Sequence, residues 1–246
     1  MKFYKVVLLA LLMIVPLLAQ AGWRDYVNDI KETVKSKTTD NTTSSLSEDT
    51  IVQGLKQALN QGVKKSVQLL GKKNGFLNDP SVKIPVPDSL KTVDKGLRKI
   101  GQEKAADKFI ITMNQAAEEA VPKTVDILVQ AVQAMSLKDA VNILNGEEDA
   151  ATQYFKHNSS SHLYTAIKPV VQNATSSVHL TDSYKTMISK AGFLAKYIDK
   201  DSLDIDQYIT NKTIDGLFLK IALEEKRIRK DPLARTTDIL KQVFGQ

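Results

Sequence analysis

The side chains in this chain with chemistry to offer are carboxylates and arginines. Glutamates stand in adjacent pairs at Glu118-Glu119, Glu147-Glu148 and Glu224-Glu225, and Asp215 sits alone in an apolar stretch. Two carboxylates that converge on one cleft can divide general acid and general base work between them. Solvated helix faces produce such pairs routinely, however. Asp215 is the sharper case. At about 100° per residue it projects between Phe218 and Leu219, on an arc that is otherwise apolar. A carboxylate buried there needs a cationic partner or a raised pKa, and the favoured expectation is a lysine or arginine partner that locks two helices together.

Arg227, Arg229 and Arg235 are the cationic counterpart. Guanidinium groups can grip an anionic ligand through two parallel bonds. Their spacing favours an internal use instead: Glu225 to Arg229 and Arg227 to Asp231 are i,i+4 pairs, and Arg235 follows a helix end whose carbonyls need donors. The candidate polar cluster is therefore Asn114, Glu118, Asp215, Glu225, Arg229 and Arg235.

Other reaction types find no support. The chain has no cysteine, which excludes disulfides, thiolate metal sites and cysteine nucleophiles. His157, His162 and His179 form no Glu-x-x-His or His-x-x-x-His pair and are expected to be exposed or at helix caps. Asp199, Asp201, Asp204 and Asp206 suggest a calcium loop, but counting from Asp199 the sixth and twelfth positions hold Asp204 and Thr210, where an EF-hand needs Gly and Glu. Gly71-Lys-Lys-Asn-Gly75 is a basic turn without phosphate-loop spacing or a preceding strand, and no Gly-x-Ser-x-Gly occurs. No metal or other cofactor is implied.

The elements that must position these residues read as helices throughout. Ile205 to about Arg229 is a long central helix with Asp204 as N-cap, and Asp231-Pro232 stops it. Leu217, Ile221, Ile214 and Phe218 fall on one side and Leu219 and Leu223 nearly opposite, which predicts neighbours on both sides. Thr236 or Thr237 can cap a last short helix carrying Ile239, Leu240, Val243 and Phe244. Upstream, a stripe from Ile51 to Leu70 marks the first helix of a domain that starts at Ser47, and Gly54 and Gly62 within it predict close approach of a neighbouring backbone.

Ser81 to Pro87 (SVKIPVP) alternates like a strand, but its two prolines predict an extended arm across the helices. Further helices follow: Leu90 to Ile100; Ala105 to Ala120, broken at Val121-Pro122; Val125 to Met135; and a short one capped by Ser136. Glu147 to Asp149 supplies a negative first turn for the next, and Ser159 to Ser161 separates that one from a helix over His162 to Ser176, kinked by Pro169. Leu180 to Ile188 is another, and Ala191 to Ser202 leads into the central helix. The class is all-α: a single multi-helix domain around a long C-terminal helix, with one short Pro-containing arm.

The N-terminus predicts export. Lys2 and Lys5 precede an apolar run from Val6 to Leu18, too short for a spanning helix, and Ala19-Gln20-Ala21 fits a signal-peptidase site. The expected organisation is a signal peptide over 1–21, a weakly helical segment and Ser/Thr-rich linker over 22–46, and a helical domain over 47–246. Without Lys2 and Lys5, 32 basic residues face 28 acidic ones, too even a balance for nucleic-acid binding. With no cysteine after the apolar run there is no lipid anchor, and after signal cleavage no transmembrane span is expected.

Several ordered islands carry a resemblance: Gly75-Phe-Leu-Asn78, Val82-Lys-Ile-Pro-Val-Pro87, Met113-Asn-Gln-Ala-Ala-Glu118 and Ile143-Leu-Asn-Gly146. Ala150-Ala-Thr-Gln-Tyr-Phe155, Asp215-Gly-Leu-Phe218, Glu224-Glu225, Ile228-Arg229 and Asp231-Pro-Leu-Ala-Arg-Thr-Thr237 continue the series. Together, over about Leu46 to Gly245, they closely resemble a family of exported bacterial helical proteins catalogued only as a domain of unknown function. The resemblance implies a periplasmic helical protein and transfers no reaction. The leading expectation is a non-enzymatic exported module that binds an envelope protein or small ligand. The alternatives are an acid-base enzyme using Asp215 or Glu118 with an arginine, and a lipid or envelope-surface binder.

Overall fold

The structure, a computed structural model, describes residues 47–192, 204–235, 237, 238 and 241. The signal peptide, the 22–46 segment, most of the lead-in over 191–202 and the tail residues Ile239, Leu240, Val243 and Phe244 lie outside the described residues. The chain divides into two units, Met1–Ser45 and Leu46–Gln246, and the described residues all belong to the second.

That unit is all-α. Helix α1 (Glu48–Leu70) starts at Ser47, whose hydroxyl accepts from the Thr50 N–H, and stops at Gly71. Asn74, in the left-handed region at φ 62°, turns the chain, the Val82 and Lys83 N–H groups close a second turn on the Asp79 carbonyl, and the arm continues over 83–87 as neither helix nor strand, with Val82, Ile84 and Val86 buried. Next come α2 (Lys91–Lys99), α3 (Glu103–Ala120), α4 (Val125–Ala134) and α5 (Leu137–Leu144), the last opened by a complete Ser136/Asp139 capping box. Helices α6 (Ala150–Ser177), α7 (Leu180–Ala191) and α8 (Ile205–Lys230) complete the core. The Asp204 carboxylate caps α8 by accepting from the Gln207 N–H at 2.7 Å. After α8, Pro232–Ala234 forms a single 3-10 turn, and the Asp231 carboxylate accepts from the Leu233 N–H.

Helix α8 is the axis. It packs most extensively on α6 and α1, with α3 also against it, and α3 in turn carries α6 and α7. The core is one cluster that includes Phe76, Phe109, Phe155, Leu163 and Leu217. At Gly216 the arm touches α8 itself: an added Cβ would come within 2.9 Å of Phe76 Cε1 and 3.3 Å of Val82 Cβ.

Four sequence expectations need correction. Ser159 to Ser161 does not end a helix; α6 runs through it, and through Pro169, for 28 residues. Side chains stitch the weak stretch to the preceding turn: Asn158 Nδ2 donates to the Tyr154 carbonyl, Ser160 Oγ to Lys156 and Thr165 Oγ1 to Ser161. Leu219 and Leu223 do not face a neighbour but are 38% and 48% exposed, and Ile100 is 58% exposed. Glu147 to Asp149 precede α6 rather than forming its first turn. At Gly62 no backbone approaches; the Glu224 side chain lies at an ordinary 3.6 Å from an added Cβ.

Among the described residues no single helix is long and apolar enough to cross a membrane.

Candidate functional site

The candidate residues do not form one cluster. They fall into two backbone clamps and one open groove.

The first clamp is on α3. Asn114 and Glu118 lie one turn apart on its buried face. Asn114 behaves as a strand would toward the arm: its Oδ1 accepts from the Ile84 N–H at 2.9 Å and its Nδ2 donates to the Ile84 carbonyl at 2.9 Å. A second Nδ2 bond goes to the Ile110 carbonyl. Glu118, 6% exposed, accepts from three peptide N–H groups: Asn74 at 2.9 Å, Phe76 at 3.1 Å and Leu77 at 3.3 Å. Burying an unpaired backbone group costs about 1–3 kcal/mol, so both side chains satisfy a segment with no sheet to join. These contacts leave Glu118 little capacity to act on a substrate.

The second clamp is on α8, where Glu225 and Arg229 pair at 3.0 Å as the spacing predicts. Glu225, 7% exposed, accepts from the Ala151 and Thr152 N–H groups, each at 3.0 Å, and from the Thr152 hydroxyl at 2.9 Å. It therefore caps the N-terminus of α6 from across the core. Arg229 donates to the carbonyls of Ile143 at 2.7 Å and Leu144 at 3.3 Å, closing the C-terminus of α5. Anion on the positive end of one helix and cation on the negative end of another match both helix dipoles. Arg235 does the same for α8, donating to the Ile228 and Arg229 carbonyls. Arg227 pairs with Glu224 at 2.5 Å rather than serving Asp231. Burial pushes the Glu224 carboxyl up, but hydrogen bonds from Arg227 and Lys65 outweigh it and hold the pKa below the ordinary value.

Asp215 is not buried, contrary to expectation; it is exposed and lines a groove of about 510 Å³ between α6 and α8. The helical wheel fixed its angle rightly but not what covers that angle: α6 packs beside it and leaves the edge open. Lys156, Ser160, Ser161 and Tyr164 line the groove from α6, and Asn211, Ile214 and Phe218 join Asp215 from α8. Ile214 and Phe218 are buried and form an apolar floor. No arginine lines it. Among the described residues, the Lys156, Asn211 and Asp215 side chains and the Ser161 hydroxyl enter no hydrogen bond or ion pair. Sequence reasoning misses the α6 residues because their signal, the helix-weak run Asn158 to Ser161, reads as a break.

All three histidines are exposed, and the described residues hold no group of three or more metal-ligating side chains. No curated protein and no solved structure matches the chain. The profile of the family described as "Protein of unknown function (DUF4197)" matches residues 45–245, a span that takes in both clamps and the groove. The chain thus belongs to the DUF4197 family.

Proposed function

We propose that this protein is a non-enzymatic binding module, exported to the bacterial periplasm, and that the α6–α8 groove is its ligand seat. One observation carries the reading. The buried carboxylates Glu118, Glu224 and Glu225 are engaged by backbone or cationic partners, whereas the groove gathers the Lys156 and Asp215 charges, the Asn211 amide and the Ser161 hydroxyl, which the fold does not use. Polar groups converging above an apolar floor are the usual make-up of a small-ligand site. Export is supported by Lys2 and Lys5 before the Val6 to Leu18 run and by Ala19-Gln20-Ala21.

The acid-base alternative gains little, since Glu118 is held by three peptide N–H groups and Asp215 has no arginine beside it in the groove. The cavity at the α1–α8 seam, between Leu59 and Ile221, is about 10 Å³, room for one water and not for an acyl chain. The test is a panel of ester, phosphate and glycoside substrates offered to purified protein. No turnover is expected. Hydrolysis that disappears in Asp215→Asn would overturn the reading.

A further inference from the structure

Resting on the groove as ligand seat, we infer that its ligand is zwitterionic: a short peptide or amino-acid segment with a free carboxylate near Lys156 and a free amine near Asp215. On the C-terminal half of α8 opposite charges that share a surface are paired, Lys220 with Asp79 at 2.5 Å and Lys226 with Glu148 at 2.7 Å, while on the N-terminal half Lys212, three residues before Asp215, lies over the Tyr208 ring instead. Lys156 and Asp215 line one groove and form no ion pair, so they stand more than 4.0 Å apart. Two fixed opposite charges with a gap between them suit a ligand carrying its own opposed charges.

The register sets the size. Helices α6 and α8 run antiparallel, with Thr152 against Glu225 near one end and Thr175 against Asp206 near the other. Between those two pairs Asp215 lies level with about Tyr164, two turns from Lys156, or about 12 Å of rise. A tripeptide reaches at most about 10 Å between its termini, and the flexible four-carbon stem of Lys156 spans the remainder. Between the charges, the Ser161 hydroxyl and the Asn211 amide offer a donor and an acceptor for peptide groups, and the floor of Ile214 and Phe218 receives a small apolar side chain.

The experiment titrates uniformly ¹⁵N-labelled protein with four probes: tri-alanine, N-acetyl-tri-alanine, tri-alanine amide and neutral chitotriose. Shifts of the Ser160, Ser161, Asn211 and Asp215 amides are the readout. Tri-alanine is expected to move them, and blocking either terminus should weaken binding about threefold, as suits charge pairs in an open groove. Asp215→Asn should erase only the advantage of the free amine, and Lys156→Gln only that of the free carboxylate. If chitotriose moves these amides as strongly as tri-alanine, the zwitterion inference falls and the groove remains the seat. If none of the four moves them, both fall.

Discussion

The two halves of α8 use their polar residues in opposite ways. From Lys220 to Lys230 every charged side chain is paired: Lys220 with Asp79, Glu224 with Lys65 and Arg227, Glu225 with Arg229, and Lys226 and Lys230 with Glu148. From Ile205 to Leu219 the buried threonines turn inward, Thr210 Oγ1 donating to the Asp206 carbonyl and Thr213 Oγ1 to Ile209, while Asn211 and Asp215 face the groove unengaged. One half of the helix ties α1, α5, α6 and the arm together, which leaves the other free to present side chains on a rigid support. Sites built on helices hold their geometry better than sites on loops.

The contrast breaks most visibly at Glu225. Glu225→Ala leaves two buried N–H groups and the Arg229 guanidinium without their carboxylate, which should cost about 3–5 kcal/mol. For a domain of this size that lowers Tm by about 6–20 °C; a melt showing less than a 3 °C drop, on the order of 1 kcal/mol, would mean water replaces the carboxylate. Asn114→Ala strands the Ile84 N–H and carbonyl and should cost about 2–4 kcal/mol by urea titration. Gly216→Ala tests where the arm meets the helix. Alanine favours a helix by about 1 kcal/mol over glycine, but crowding a fully buried Phe76 costs about 1–3 kcal/mol. A net loss of up to about 2 kcal/mol is expected, and a gain would show that the arm yields.

Acid titration sharpens the same contrast with a smaller effect. Hydrogen bonds from Lys226 and Lys230 hold the Glu148 carboxyl at about 2, down from 4.5, and Lys220 and Ser81 hold Asp79 at about 2, down from 3.8. Both are depressed carboxylates. Their contribution is complete above the ordinary carboxylate range and is lost as pH falls through about 2. The stability difference between the unsubstituted chain and Glu148→Gln should therefore be present at neutral pH and gone below about pH 2. Least of all, Asp215→Asn and Lys156→Gln should stay within about 0.5 kcal/mol of the parent. A loss above about 2 kcal/mol in either would place the groove among the structural clamps.

What the sequence made legible was local. Ser47, Ser136 and Asp204 mark helix starts through partners three residues away, and each sits where those signals put it. The Glu225 to Arg229 pair and Arg235 on the α8 carbonyls were legible for the same reason. What stayed hidden depended on distant partners. The acidic run Glu147 to Asp149 looks like the anion for the α6 N-terminus, yet Glu225 holds that place and Glu148 pairs outward with Lys226 and Lys230. The polar run at Ser159 looks like a loop because helix propensity is weak there, but packing on α8 and α3 outweighs a few tenths of a kcal/mol per residue, roughly the spread of ordinary propensities. Periodicity located the angles of Asp215, Leu219 and Leu223 without saying which neighbour would cover them.

The cap that Glu225 places on α6 also sets a schedule for the newborn chain. Thr152 and Glu225 are separated by 73 residues. The chain emerges N-terminus first, so the first turn of α6 is exposed before its anion arrives. During that interval Ala151 and Thr152 lack their carboxylate, and the Ile143 and Leu144 carbonyls at the end of α5 lack the Arg229 guanidinium. Helix α8, the last long element to be synthesised among the described residues, thereby acts as a latch: the earlier helices can collapse together, but they cannot lock until it arrives.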